Sequence, residues 1–411
     1  MSELSPAERD LIARIDPAPM LDQVLAWSAI NTGTRNLAGL ARQAAALADA
    51  FAGLPGDITL EDAGPVEAVA PDGRPIVLAH GRSLVLRVRP QANRRFLLTG
   101  HMDTVFAEDH PFQTARWLDE QTLNGPGVAD MKGGLAVILA ALTAFETGPV
   151  GAGPVAAGPA AAGVGYDVLI NADEETGSLS SAPLIARLAG GKAAALTFEP
   201  SARPDGTLAG ARAGSGNYSV VIHGKSAHAG RNPEDGRNAI VAAAGLVLAL
   251  AELAGPDISV NPAKIEGGSA NNVVPDLAIV RFNIRPRAQD AAARFAAALP
   301  EAIARIEARH GVHAHVHGGI SRPPKPLSED AERLLHLVRD CGAALGQTIG
   351  WQATGGVCDG NNIAACGVPV VDTMGVRGGA IHSADEFLIV PSLAERAQLA
   401  ALVLHRLSGG E

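Results

Sequence analysis

The chain has 411 residues, 47% of them hydrophobic and 18% charged. That is enough for two or three domains of about 100–200 residues each, and too apolar for long disorder. Aromatic residues make up only 3%, and 43 Asp plus Glu outweigh 33 Lys plus Arg for a net charge of −10, which argues against a cationic, aromatic-lined nucleic-acid groove and leaves room for a cation site.

The first residues show no basic start followed by an apolar run, so no secretory leader is expected. Helical periodicity covers residues 20–53 and ends in a Gly/Pro break at 53–56. Strands are predicted at 83–89 and 96–99. A segment at 117–123 leads into the glycine cluster 125–134 and then an apolar helix to about Phe145. Residues 147–165 are Gly, Ala, Pro and Val after the first and read as a low-complexity loop. Two more short apolar strands, 168–171 and 195–198, flank a helical stretch. Strands alternating with helices imply an open α/β sheet.

From about Gly214 to Arg322 the pattern changes. Strand 218–223, helix 238–253, strands 258–266 and 277–285, helix 288–310 and strand 312–317 follow in order. This β-α-β-β-α-β sequence is the ferredoxin-like unit. The Pro-rich hinge 322–326 closes it, and the α/β pattern resumes. The expected organisation is one α/β domain, 1–213 with 323–411, interrupted by an α+β insertion at 214–322. The longest uncharged apolar run, 239–251, is shorter than the about 18–20 residues a bilayer span takes. It reads as a buried helix, so no membrane association is expected. The three cysteines, Cys341, Cys358 and Cys366, have no Cys-x-x-Cys or zinc-finger spacing. They read as free thiols of a reducing cytoplasm.

Three apolar strands end in polar clusters: His101-Met102-Asp103, Asp173-Glu174-Glu175, and Glu199 before Pro200. Ligands of open α/β sheets bind beyond the carboxyl ends of the strands, so these groups should converge. Asp130 sits in a glycine-rich loop that opens a helix, and His382 lies in a late loop after Gly378-Gly379. Two histidines among several carboxylates form a mixed N/O donor set suited to zinc or a similar divalent ion. Asp103 is placed to accept the second imidazole N–H of His101. Asp130 has two oxygens with which to bridge two ions, which co-catalytic sites hold about 3.5–4 Å apart. Of the adjacent Glu174 and Glu175, one can ligate while the other serves as a general base; a solvated acidic pair on a loop is the plainer alternative.

These motifs, with Gly127-Val128-Ala129-Asp130-Met131-Lys132 and the His382 loop, occur in an order that resembles the di-zinc amidohydrolases of metallopeptidase family 20 over essentially the whole chain. The resemblance implies a mixed-sheet, three-layer di-zinc catalytic domain with an inserted lid and dimerisation domain, and two divalent ions, zinc with cobalt or manganese as alternatives. His101 and Glu199 would hold one ion, Glu175 and His382 the other, and Asp130 would bridge them. Glu174 would be the base that draws a proton from a metal-activated water, and Asp103 would orient His101. His228, in Gly224-Lys225-Ser226-Ala227-His228, matches the family's lid histidine, which stabilises the oxyanion, often across a homodimer. Asn272 and Arg285 match positions that hold a substrate carboxylate in the glutamate carboxypeptidase branch; a turn cap and a surface cation are their plainer readings. The implied reaction is hydrolysis of an amide in a small acyl-amino acid or peptide. An N-acyl-amino-acid deacylase is the alternative within the same chemistry, and a non-catalytic binding protein the alternative outside it.

His313, His315 and His317 resemble a metal box, but on a strand they project from one face about 7 Å apart, away from every catalytic motif. They read as a polar strand face. The chain lacks Gly-x-Ser-x-Gly, His-Glu-x-x-His and Gly-x-Gly-x-x-Gly, so serine-hydrolase, single-zinc protease and dinucleotide readings have no support.

Overall fold

Six strands form the larger sheet in a computed structural model that describes residues 3–147 and 164–409. In spatial order they are Asp57–Glu61, Ser83–Val88, Val164–Asn171, Arg94–His101, Ala194–Thr197 and Val370–Asp372. The last four pair in parallel, and the first two pair antiparallel at one edge. Successive apolar residues of the central strands face opposite sides. Phe96, Leu98, Val168 and Ile170 join one core cluster, while Leu97, Leu169 and Ala195 join another. A sheet covered on both faces needs such continuous apolar strands. Helices Pro17–Ser28, Gly133–Thr147, Glu329–Ala344 and Ser392–Leu407 pack on the first side, and Ala182–Ala189 and Asp359–Ala365 on the second. The result is three layers, as expected.

Among the described residues, one stretch, Val128–Thr147, is long and apolar enough to match a bilayer span, but 89% of that window is buried in the protein, and the backbone leaves helical conformation at Asp130 and Met131 before helix Gly133–Thr147. It is the central core helix.

The second sheet has the order Ile258–Gly267, Leu277–Pro286, Ser215–His223, His313–Arg322, with every pairing antiparallel. Helices Ala239–Glu252 and Gln289–His310 cover one face around a separate core that includes Val220, Leu246, Phe282 and Phe295. This is the ferredoxin-like order. A hairpin of the larger unit, Val66–Val69 with Pro75–Leu78, meets the opposite face through Val69, Val221 and Ile279. The strands into and out of the inserted unit run side by side. Arg212 N–H donates to Lys325 O at 2.9 Å and Lys325 N–H to Arg212 O at 3.0 Å.

Several expectations need correction. The helix expected over 20–53 is two helices, Pro17–Ser28 and Leu37–Phe51, the second N-capped by Asn36. The chain turns between them, and Thr34 in that turn donates to Asp103 Oδ2 at 2.7 Å. A further helix, Pro6–Ala13, starts from a Ser5–Glu8 capping box. The expected loop 147–165 ends earlier than read, since Val164 and Gly165 already belong to a strand; residues 148–163 lie outside the described ones. The exit strand of the insertion runs to Arg322 rather than His317. A four-stranded sheet of short strands, including Thr122–Asn124 and Phe387–Ile389, was not read from the sequence.

Candidate metal centre

Sheet topology brings the three acidic clusters together. His101 ends its strand, while Glu174 and Glu199 follow the ends of the strands on either side. Parallel pairing places all three at one sheet edge. Asp130 arrives from the glycine loop. Gly127 there has φ of 71°, a left-handed conformation that glycine adopts without steric cost. At Gly134 a Cβ would lie 2.1 Å from Phe198 O, so only glycine lets the helix start approach the strand carrying Glu199.

The resulting geometry is a chain of facing donors. His101 Nε2 lies 3.1 Å from Asp130 Oδ1 and 3.7 Å from Glu199 Oε2. His382 Nε2 lies 3.3 Å from Asp130 Oδ2 and 3.2 Å from Glu175 Oε2. The two oxygens of Asp130 thus face different histidines, and each histidine faces a second carboxylate. Two groups have metal-ligand spacing among the described residues: His101 with Asp130 and Glu175, and His101 with Glu174 and Glu199. Glu199 Oε1 is buried without a hydrogen-bond partner among the described residues. A buried acceptor without a donor, in a cluster of acids facing two histidines, fits the coordination of divalent cations. His382 holds φ of 63°, uncommon for a residue with a side chain, and is half-exposed at the mouth of the site.

The electrostatics agree. Burial pushes Glu175 up to about 7, with the charge of Asp130 adding to it. Burial likewise raises Glu174 and Glu199, against the nearby cations Arg322 and His101 respectively. Burial also works to raise Asp130, but His101 and His382 outweigh it and hold its carboxyl well below the usual range. Hydrogen bonds to Asp130 and Glu175 pull His382 up to about 11. So many acids packed together demand positive charge, and bound cations meet that demand.

Supporting contacts refine one role. His101 Nδ1–H donates to the Asp103 main-chain carbonyl at 3.0 Å, with the Asp103 carboxylate farther off at 3.5 Å. That carboxylate instead accepts from Thr34 Oγ1 at 2.7 Å and from the N–H groups of Glu174 and Glu175 at 3.1 and 3.2 Å. Asp103 therefore orients the imidazole through its backbone and the Glu174–Glu175 turn through its side chain. Other groups were missed. Glu386 is buried and accepts from Gly127, Ala129 and Asp130 N–H at 3.2, 2.9 and 3.0 Å, fixing the glycine loop. Its place four residues after His382 is the only signal the sequence offered. Arg322 Nη2 pairs with Glu174 Oε1 at 2.6 Å, and Arg212 with Asp372 at 2.9 Å.

A cleft of about 710 Å³ opens over the centre, lined by Glu174, Glu175, Glu199, His382 and three arginines, Arg212, Arg285 and Arg322. That volume suits a small molecule. Arg285 projects from strand Leu277–Pro286 and donates to Asn283 Oδ1 at 3.0 Å. It pairs with no carboxylate among the described residues. His228 and Asn272 do not line the cleft. Both are exposed on one ridge of the insertion, where Ala229 N–H donates to Asn272 O at 2.9 Å. Of the histidine row, His317 meets Glu67 at 2.9 Å and His223 packs against His315, contacts of a polar strand face.

Comparison with known proteins gives a consistent picture. The M20 peptidase dimerisation domain matches residues 210–311. Carboxypeptidase G2 from Pseudomonas sp. is 29% identical over 341 residues, covering 81% of this chain and 79% of that protein. Succinyl-diaminopimelate desuccinylase from Halorhodospira halophila is 31% identical over 322 residues, covering 72% and 79%. An M20 family metallo-carboxypeptidase from Sulfolobus solfataricus shares the fold, with a TM-score of 0.69 at 13% identity over 95% of this chain and 99% of that one.

Proposed function

The chain belongs to metallopeptidase family M20 and is a metallohydrolase of amide bonds, and from that premise we propose that it cleaves small acyl-amino acids or peptides carrying a free carboxylate, in the manner of a glutamate carboxypeptidase. The observation that carries this reading is Arg285, a guanidinium on the cleft wall that pairs with no carboxylate among the described residues. Its planar fork matches a carboxylate in two parallel hydrogen bonds. Burial and the nearby Arg322 charge both disfavour its protonated form, so an arriving anion relieves the site.

His101 with Glu199 would hold one cation and His382 with Glu175 the other, with Asp130 between them. Two zinc ions, when bound, would polarise the amide carbonyl and make water nucleophilic near neutral pH. Glu174 takes the proton of the attacking water and delivers it to the leaving amine. It is close enough to His101 and Glu199 to ligate, but its pairing with Arg322 favours the role of base. Residues 214–322 act as the lid and dimerisation domain. His228, exposed and outside its own cleft, reaches the cleft of a second copy and donates to the developing oxyanion. Light scattering should give a dimer at micromolar concentration; a monomer removes His228 from this role. The reducing cytoplasm fits Cys341, Cys358 and Cys366, which are all free.

The test is a panel of N-acyl-amino acids and dipeptides with zinc, cobalt or manganese added. Preference for a glutamate leaving group supports the carboxypeptidase reading. The similarity to a desuccinylase favours a second one, an N-acyl-amino-acid deacylase, which aliphatic or basic leaving groups would support. Hydrolysis of no panel member by enzyme holding two metals per chain defeats both. Arg285→Ala should raise KM by about 10–100-fold, the worth of hydrogen bonds to a charged group, with kcat less affected. An unchanged KM removes Arg285 from substrate binding.

A further inference from the structure

Glu174 is held from an unexpected direction. Arg322 is the last residue of the inserted unit's exit strand, His313–Arg322, and pairs there with Ser215. Its side chain leaves that sheet and is buried in the other unit. Nη2 lies 2.6 Å from Glu174 Oε1 and donates to Glu174 O at 2.8 Å and to Ser178 Oγ at 2.8 Å. Asp359, at the start of helix Asp359–Ala365, stands 3.4 Å away as a further counter-ion and accepts from Ser178 Oγ and, at 2.6 Å, from Asn171 Nδ2. All of these contacts fall on Nη2, so this one nitrogen is held from several directions. One contact is with the Glu174 carboxylate, and the others are with groups that cannot shift without disturbing the sheet end.

We propose that Arg322 is a positioning residue: from the exit strand of the inserted unit it fixes one oxygen of the Glu174 carboxylate, leaving the other free to meet the attacking water. A glutamate has three rotatable bonds, and a base must sit within hydrogen-bond reach of its proton. Fixing Oε1 in a buried ion pair selects one rotamer from several. The backbone bond to Glu174 O holds the turn in the same grip.

This inference rests on Glu174 acting as the base, and the experiment separates the two. Arg322→Gln should lower kcat by about 10²-fold, the scale of a misplacement of about 1 Å, with KM and a content of two metals per chain retained. Arg322→Lys, which keeps the charge but puts a shorter-reaching ammonium in place of Nη2, should recover about tenfold of that. In a Glu174→Asp background, whose shorter carboxylate no longer reaches Arg322, the same substitutions should change kcat by less than about threefold, since residues acting as one unit are not additive. An equal loss in both backgrounds, or an unchanged kcat in Arg322→Gln, overturns the proposal. If circular dichroism shows that Arg322→Gln fails to fold, Arg322→Lys carries the same cycle with the same criterion. Wild-type enzyme inactive on the whole panel would strike the proposed function instead.

Discussion

Replacing Glu174 by alanine is expected to lower kcat by about 10²–10⁴-fold, the contribution of a positioned acid–base group, while two metals per chain remain bound. Glu174 is buried at the end of the central sheet, with one carboxylate oxygen near the donor atoms of His101 and Glu199. Its Oε1 is committed to Arg322. Every other acid of the cluster has a histidine facing it: Asp130, Glu175 and Glu199. Glu174 is instead paired with a guanidinium, Arg322. A residue of that kind can be removed without emptying the metal site, so activity and metal content should separate. Metal analysis beside steady-state kinetics makes the comparison. Turnover near the wild-type rate at full metal content would exclude Glu174 from proton transfer.

Asp130→Ala should behave in the opposite way, losing metal and activity together. The carboxylate spans both histidines, at 3.1 and 3.3 Å, and belongs to both halves of the site. Its position is set by the Gly127 turn below it and by Glu386, which accepts its backbone N–H. Lewis-acid stabilisation is worth several kcal/mol, so kcat/KM should fall about 10³-fold or more, with metal content dropping below two per chain. Alanine at this position with two tightly held metals would show that the carboxylate does not bridge. Together the two variants separate the group that moves the proton from the group that assembles the centre.

The strand-end acids were legible because the sheet did the work of convergence. His101, Glu174, Glu175 and Glu199 each follow a short apolar strand, and parallel pairing of adjacent strands leaves them no other place to meet. The glycine loop announced Asp130 through its composition. The arrangement of the insertion was equally plain from its alternation of strand and helix periods. Arg322 was not legible as a site residue. It stands at the boundary of a Pro-rich hinge, and only the crossing of two units turns its side chain towards Glu174. Glu386 was not legible either, since capping three backbone N–H groups leaves no trace in spacing. The break at Asn31–Asn36 was hidden by alanine-rich helical periodicity on either side. His228 and Asn272 lie outside the cleft of the chain that carries them.

The paired linkers bear on how such a chain folds. Arg212 and Lys325 exchange backbone hydrogen bonds, and Asn361 Nδ2 donates to both Ala213 O and Pro323 O at 2.9 and 2.8 Å. To the host sheet, the long insertion is a loop whose two ends already touch. Loop-closure entropy grows only with the logarithm of loop length, and the insertion, with its own sheet and core, can shorten that loop by folding first. The later strand Val370–Asp372 then joins its sheet across a tied junction rather than a wandering chain. Asn361 sits at that junction like a rivet through both straps, so the host sheet meets the insertion as a closed loop whatever the length of chain between its ends.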